Sequence, residues 1–323
     1  MAKVVELAAH GGPEVMVLRD RDPGEPGPGQ VRVANRAVGL NYIDTYHRSG
    51  LYPLPMPSGL GLEGAGVVEA VGEGADFAEG DRVAYCAASI GAYAESLLLP
   101  AERLVPLPDG VDFDTAAAVL LKGCTVEYLL QRLYTLKNGH TTLFHAAAGG
   151  VGLLFGQWAA ALGVELVGTV STEAKRELAL ANGYQHCLIS GEDDVVGAVR
   201  ELSNGQMLPV VYDGVGAATF FQSLDCLAPR GLMVSFGNAS GSPPAVDLQE
   251  LSLRGSLFIT RPSLMSYVAT PAEMRDSAAA VFDRVLDGTL TVHIAQRYPL
   301  VEVQRAHAEL EARRTVGSSL LIP

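Results

Sequence analysis

The sequence predicts an α/β protein in which a doubly wound parallel sheet is joined to a separate antiparallel, loop-rich β unit. Three observations carry this expectation. From about residue 115 short apolar strands alternate with helix-length periodic stretches, the pattern of βαβ units. Before that point Gly and Pro break the chain into short β-rich runs. At 323 residues the chain is long enough for two domains, and folding would bury roughly 75% of its extended surface, so the core needs no staples.

Composition narrows the class. Apolar residues make up 48% and charged residues 18%, which excludes a disordered chain. The 36 glycines show no three-residue period, so they serve turns and close backbone approaches. A net charge of −13 repels polyanions and argues against nucleic acid as a partner, but a local cation cluster could still bind a small anion. The four cysteines (86, 124, 187, 226) form no CxxC pair and are expected as buried thiols. The first residues carry Glu6 and no continuous apolar stretch, so a signal peptide is not expected and the cytoplasm is the expected location. Residues 138–164 contain no Asp, Glu, Lys or Arg. Their six glycines, many alanines, His145 and Gln157 nonetheless make the stretch only weakly hydrophobic, which argues against a membrane span. No repeat is visible.

Taken in order, residues 22–29 and 52–61 are turn-rich, and 30–38, 64–71 and 81–85 read as strands. Then follow a strand at 141–147, a helix at 152–162, a strand at 165–170 and a helix from 172 to 182. The alternation continues through 210–212, 219–227, 232–236 and 256–260, and six strands would complete the sheet. Helical segments at 271–287 and 300–312 flank a strand at 296–299, and 319–323 is apolar. A chain that leaves the sheet domain and returns to the first β domain accounts for this tail.

The most informative segment is residues 144–152, Phe-His-Ala-Ala-Ala-Gly-Gly-Val-Gly, between a predicted strand and a predicted helix. Gly149 and Gly150 allow a tight turn and close approach to a pyrophosphate, Gly152 allows the helix to pack on the strand, and the helix amino terminus supplies N–H groups. Strict GxGxxG spacing fails, because Phe155 stands at the third position; the alternative is a Gly-rich bend. The next strand ends at Ser171, where an NAD enzyme needs an acid for the ribose 2′-hydroxyl. Ser171, Thr172, Glu173, Lys175 and Arg176 stand there instead, a hydroxyl and two cations that suit a 2′-phosphate and predict NADPH. The bland alternative for Lys175 and Arg176 is a solvated helix face beside Glu173.

With these in hand, further stretches become recognisable: 38–44 (Val-Gly-Leu-Asn-Tyr-Ile-Asp), 61–68 (Gly-Leu-Glu-Gly-Ala-Gly-Val-Val), 147–152, 236–241, 260–264 and 317–323. Together they resemble the zinc-free NADPH:quinone oxidoreductases, the zeta-crystallin-like branch of the medium-chain dehydrogenase/reductase superfamily. The resemblance implies a GroES-like catalytic domain from residues 1–121 and 263–323, a Rossmann NADPH-binding domain at 122–262, an active site in the cleft, and a dimer joined near 256–260. It also implies that Asn41 touches the nicotinamide, that Gly149, Gly150, Val151 and Gly152 hold the pyrophosphate, and that Ser171 and Lys175 hold the 2′-phosphate. Ser190 sits where the family usually has Tyr. Thr125, Phe236, Gly237, Asn238, Phe258, Thr260 and Arg313 would complete the cofactor site. Zinc dehydrogenases of the superfamily need Cys where Asn41 stands and His where Leu62 stands, so no metal is expected, and His47 is read as a loop residue.

A quinone accepts electrons readily, so the protein's task would be to hold the nicotinamide against it and stabilise developing oxygen charge. Asn41, Tyr46 and Tyr52, expected on the loop after the strand at 31–39, are the candidate positioning donors, with ordinary packing as the alternative for each Tyr. Two other functions remain open: an NADPH-dependent enone or alkenal reductase, and a non-catalytic NADPH- or RNA-binding crystallin-like protein, the RNA part disfavoured by the charge. No GxSxG occurs, which removes a serine hydrolase.

Overall fold

Alternation of buried and partly exposed residues along Gln30–Leu40, with Val31, Val33, Asn35 and Ala37 turned inward, makes this eleven-residue strand the spine of the first sheet. The computed structural model describes all residues, Met1–Pro323. The chain divides into two units, one of Met1–Thr125, Tyr267–Gly288 and Val292–Pro323, the other of Val126–Ser266 with Thr289–Thr291.

In the first unit Gln30–Leu40 pairs antiparallel with Glu63–Val71, Ser96–Pro100 and Ser318–Ile322, so the carboxyl-terminal strand lies beside a strand from the amino-terminal third. Ile294–Pro299, Arg82–Cys86 and Val105–Pro106 extend the seven-stranded sheet, and Ala2–Leu7 with Met16–Arg21 forms a separate ribbon. The tail helix Pro271–Leu286 starts with a Thr270–Glu273 capping box and Pro at its first position. The expected helix at 300–312 begins as a 3-10 turn, Leu300–Glu302, before Val303–Glu311.

One expectation is corrected here. The segment after the first long strand is a helix, Tyr42–Ser49, so Tyr46 and His47 are helical and Asn41 is the N-cap; Tyr52 alone lies in the following loop. Its Tyr, Ile, Thr and His residues are indifferent helix formers. The caps and burial override that weakness. The Asp44 carboxylate accepts the Asn41 backbone N–H at 2.9 Å, Gly50 closes the helix at φ 84°, and Asp44, Thr45, Tyr46, His47 and Arg48 are buried.

The second unit is a six-stranded parallel sheet in the order His186–Ile189, Glu165–Val170, Thr141–His145, Leu208–Asp213, Leu227–Ser235, Phe258–Thr260. The chain reverses direction of travel across the sheet between Thr141–His145 and Leu208–Asp213, the switch point of a doubly wound fold, where ligands bind at strand carboxyl ends. The His186–Ile189 strand went unrecognised in the sequence because it has four residues and its two outward positions are only half-buried. No helix is long and apolar enough to cross a membrane.

Candidate functional site

In the second unit, Thr141–His145 runs into the turn and out into the helix Gly150–Ala161, capped at Gly149. Ala146 takes φ 63°, Gly149 N–H donates to Ala146 O at 3.0 Å, and the first helical bond runs from Leu153 N–H to Gly149 O at 2.9 Å. The N–H groups of Gly150, Val151 and Gly152 therefore sit at the amino terminus of a twelve-residue helix, suited to a diphosphate. A Cβ on Gly152 would come within 2.5 Å of the carbonyl oxygens of Ala146 and Ala147, so only glycine lets helix and strand meet. Phe155 occupies the third-glycine position and packs at a tilt within a buried cluster, 4.4 Å from Phe144 and 4.9 Å from Tyr212 between ring centroids. The close approach has moved one residue on: a Cβ on Gly156 would collide with Asn182 O and the Tyr184 ring.

Beyond the second strand, Thr172 caps the helix Glu173–Leu180, its hydroxyl accepting Lys175 N–H at 3.4 Å. Ser190 N–H donates to Val170 O at 2.8 Å, which brings Ser190 beside Ser171 and the start of the Lys175 helix. Arg176 does not join them as a spare cation. It pairs with Asp193 at 3.0 Å and Glu173 at 3.2 Å, so its guanidinium is already engaged.

At the carboxyl ends of the central strands, Phe236 lies 5.5 Å from Phe144, and Gly237 packs so closely on Gly214 that a Cβ would strike its carbonyl. Asn238 is buried. Asp213 accepts from Val215 N–H, Gly216 N–H and the Thr219 and Ser223 hydroxyls, which stiffens this rim and was not legible in the sequence. His145 shares a 2.9 Å hydrogen bond with Thr169 Oγ1, and burial lowers its pKa so that the ring stays neutral. Thr260 pairs with Val234, and Arg261 donates to Ser235 O at 2.7 Å. Phe258 is not brought to this rim. It is level with Leu232 and Val210, toward the amino-terminal half of the sheet, 61% exposed on the outer edge strand, lining a shallow depression with Tyr134, Pro209 and Pro229.

In the first unit, Asn41 is 4% exposed and its Nδ2 donates to Glu63 Oε2 at 2.7 Å. Tyr46 stands on the same helix, its ring 5.5 Å from Tyr42 and 5.2 Å from Tyr52, and Tyr52 N–H donates to Tyr46 O at 3.0 Å. Asn41, Tyr46 and Tyr52 thus belong to one capped helix and its exit. Burial, then the nearby Glu311, raises the Tyr42 pKa. Thr125 bonds back to Leu121 O at 2.8 Å within its helix. Arg313, at φ 58°, follows the Val303–Glu311 helix and is exposed.

Beneath the Asn41 helix lies a buried chain that no sequence spacing announces. Tyr93 OH donates to Asp44 Oδ2 at 2.8 Å, the same phenolic oxygen of Tyr93 lies 3.0 Å from His307 Nε2, His307 Nδ1 lies 3.2 Å from Arg48 Nη1, and Arg48 pairs with Glu311 at 2.6 Å. Burial pushes the Asp44 carboxyl up to about 7 and the His307 imidazole down to about 3, the latter aided by Arg48.

A zinc ion does not fit this unit. Asn41 turns its amide nitrogen to Glu63, Leu62 is a buried hydrocarbon, and no group of three or more His, Cys, Asp or Glu residues converges anywhere in the chain. The four cysteines are buried free thiols, as expected.

Residues 27–109 match the alcohol dehydrogenase GroES-like domain, and residues 150–279 match the zinc-binding dehydrogenase family. With the doubly wound sheet and the glycine turn, they define a medium-chain dehydrogenase/reductase. The quinone oxidoreductase of Pseudomonas aeruginosa is 56% identical over 325 residues, covering 100% of both chains. The crystal structure of Escherichia coli quinone oxidoreductase complexed with NADPH superposes with a TM-score of 0.98 at 47% identity, over 99% of this chain and 100% of that one. The 2-haloacrylate reductase of a Burkholderia species is 43% identical over 100% of this chain and 99% of its own. The chain belongs to the quinone oxidoreductase family.

Proposed function

We propose that this protein is an NADPH-dependent reductase that transfers a hydride to quinones without a metal. One observation carries the cofactor reading: Ser171, where an acid for the ribose 2′-hydroxyl would stand, follows the strand Glu165–Val170, with Ser190 beside it and Lys175 in the first turn of the next helix. A 2′-phosphate finds a cation and two hydroxyls there, whereas a 2′-hydroxyl finds no acceptor. The NADPH-bound Escherichia coli relative supports the same choice.

When bound, NADPH supplies the hydride; the chain's residues hold it, orient it and exclude water. The N–H groups of Gly150, Val151 and Gly152 take the pyrophosphate, which the bare Gly149 lets approach, and the rim of Phe236, Gly237, Asn238 and Thr260 lies at the carboxyl ends where the nucleotide extends. Asn41, Tyr46, Tyr52, Thr125 and Arg313 are assigned to the nicotinamide and substrate end, with Tyr46 and Tyr52 as neutral donors toward a quinone oxygen. In this reading residues 1–121 and 263–323 form the catalytic domain and 122–262 the NADPH-binding domain. Phe258 is assigned to a dimer contact instead of the cofactor, because the Phe258–Thr260 strand is an unpaired sheet edge with Phe258 and Ile259 exposed. A cytoplasmic homodimer follows as the working assembly.

A second substrate class stays in play because a 2-haloacrylate reductase is among the close relatives. Reduction of such an activated alkene uses the same hydride donor but protonates a carbon. Calorimetric titration with NADPH and NADH, then steady-state turnover of 1,4-benzoquinone, a naphthoquinone and a short enone, tests both. Preference for NADH, or turnover of the enone alone, refutes the quinone reading.

A further inference from the structure

Glu63 opens the strand Glu63–Val71 and is fully buried. Its Oε1 accepts the Leu121 backbone N–H at 2.7 Å; its Oε2 accepts Asn41 Nδ2 at 2.7 Å and lies 3.5 Å from Lys122 Nζ. Each of these three partners is a donor, which suits an acceptor-only carboxylate. Room for it depends on Gly39, where a Cβ would collide with Glu63 Oε2 and Ala117 O. A buried ion pair such as Lys122–Glu63 adds little stability over a well-packed hydrocarbon pair, so its presence calls for another reason.

That reason lies in Asn41. A side-chain amide has a donor end and an acceptor end of nearly equal shape, and only its neighbours decide which way it faces. We propose that Glu63, held by Leu121 and Lys122, is a positioning residue that locks the Asn41 amide nitrogen inward while the Asn41 oxygen faces the Asp44 backbone N–H of the capping box, so that Asn41 meets the nicotinamide with its single remaining N–H. The inference rests on the assignment of Asn41 to the nicotinamide end of NADPH and deepens it. Glu63 touches neither cofactor nor substrate; it acts through Asn41.

Two substitutions separate this role from mere packing. Glu63→Gln keeps the shape and can keep an oxygen on Leu121 N–H, but it turns an amino group toward Asn41, whose amide must then rotate by a half-turn. Asn41→Asp sets two carboxylates against each other. The double variant restores one carboxylate facing one amide, with the direction of donation reversed. Expected for Glu63→Gln is a melting temperature below wild type, because Lys122 then lies buried without its carboxylate, with an approximately tenfold loss in kcat/KM for NADPH that shows in the single-turnover hydride rate measured while the protein is still folded. Expected for the double variant is recovery of melting temperature from the Asn41→Asp value without recovery of hydride transfer. Wild-type turnover in Glu63→Gln overturns the inference, and so does joint recovery of stability and turnover in the double variant. If Glu63→Gln does not fold, the double variant decides by the same criterion. A wild-type chain that fails to bind NADPH at all sinks the functional reading itself, and this inference with it.

Discussion

Adding one methyl group at Gly152 tests whether the turn is built as described. Its Cβ would sit 2.5 Å from two carbonyl oxygens and 2.7 Å from the Ala147 carbonyl carbon, all of them backbone atoms that no rotamer change can move. Ordinary contact begins near 3.4 Å, so the helix Gly150–Ala161 or the turn must shift by nearly 1 Å. Overpacking of this kind costs about 2 kcal/mol, and at some 2–4 °C per kcal/mol the melting temperature should fall by roughly 4–8 °C. Gly149→Ala is the control. Its Cβ would meet only Ala146 O, at 3.2 Å, and its φ of −77° accepts an L-residue, so the nucleotide-free protein should melt within about 2 °C of wild type. That same methyl stands where the pyrophosphate must approach, so NADPH affinity should drop by about tenfold or more, roughly 1.4 kcal/mol. Scanning fluorimetry without nucleotide, followed by calorimetric titration with NADPH, reads both effects. A Gly152→Ala protein as stable as wild type, or a Gly149→Ala protein that binds NADPH unchanged, would refute the cradle.

Lys175→Ala should weaken NADPH by about 10–100-fold and NADH by less than about threefold, as loss of one charge-assisted contact predicts, whereas Arg176→Ala should leave the ratio intact because Arg176 is already paired; fluorescence titration of both nucleotides decides. Prolonged dialysis against a chelator should leave quinone turnover unchanged, and activity lost with EDTA and regained with zinc would contradict the misfit of Asn41 and Leu62 as ligands. Two buried groups make opposite demands on pH. Asp44, raised to about 7, contributes stability at low pH that is lost as pH rises from about 4 through 7, while His307, lowered to about 3, contributes stability above pH 6.5 that is lost as pH falls toward 3. They offset each other between about pH 4 and 6.5, so Asp44→Asn should make the melting temperature climb more steeply with pH across that window. Parallel pH profiles for wild type and Asp44→Asn would show that the carboxyl does not titrate there.

What could be read from the sequence was chemistry confined to a few neighbouring residues. The glycine turn, the missing acid at Ser171 and the strand at Glu165–Val170 are each specified by local backbone freedom, local charge or local periodicity, and the structure keeps them in place. Helix Tyr42–Ser49 escaped because its propensity is poor and its formation depends on an N-cap bond and on burial of Asp44 and Arg48 against distant partners. Arg176 looked available for phosphate because Asp193, seventeen residues away, meets it only once the His186–Ile189 strand is laid beside Glu165–Val170. Asn41 and Glu63 face one another only because Gln30–Leu40 and Glu63–Val71 pair antiparallel in one register, and Tyr93 reaches His307 across 214 positions of chain. Burial then alters the chemistry of these groups, raising Asp44 and lowering His307, since the cost of removing a charge from water belongs to the packed interior and not to the residue type.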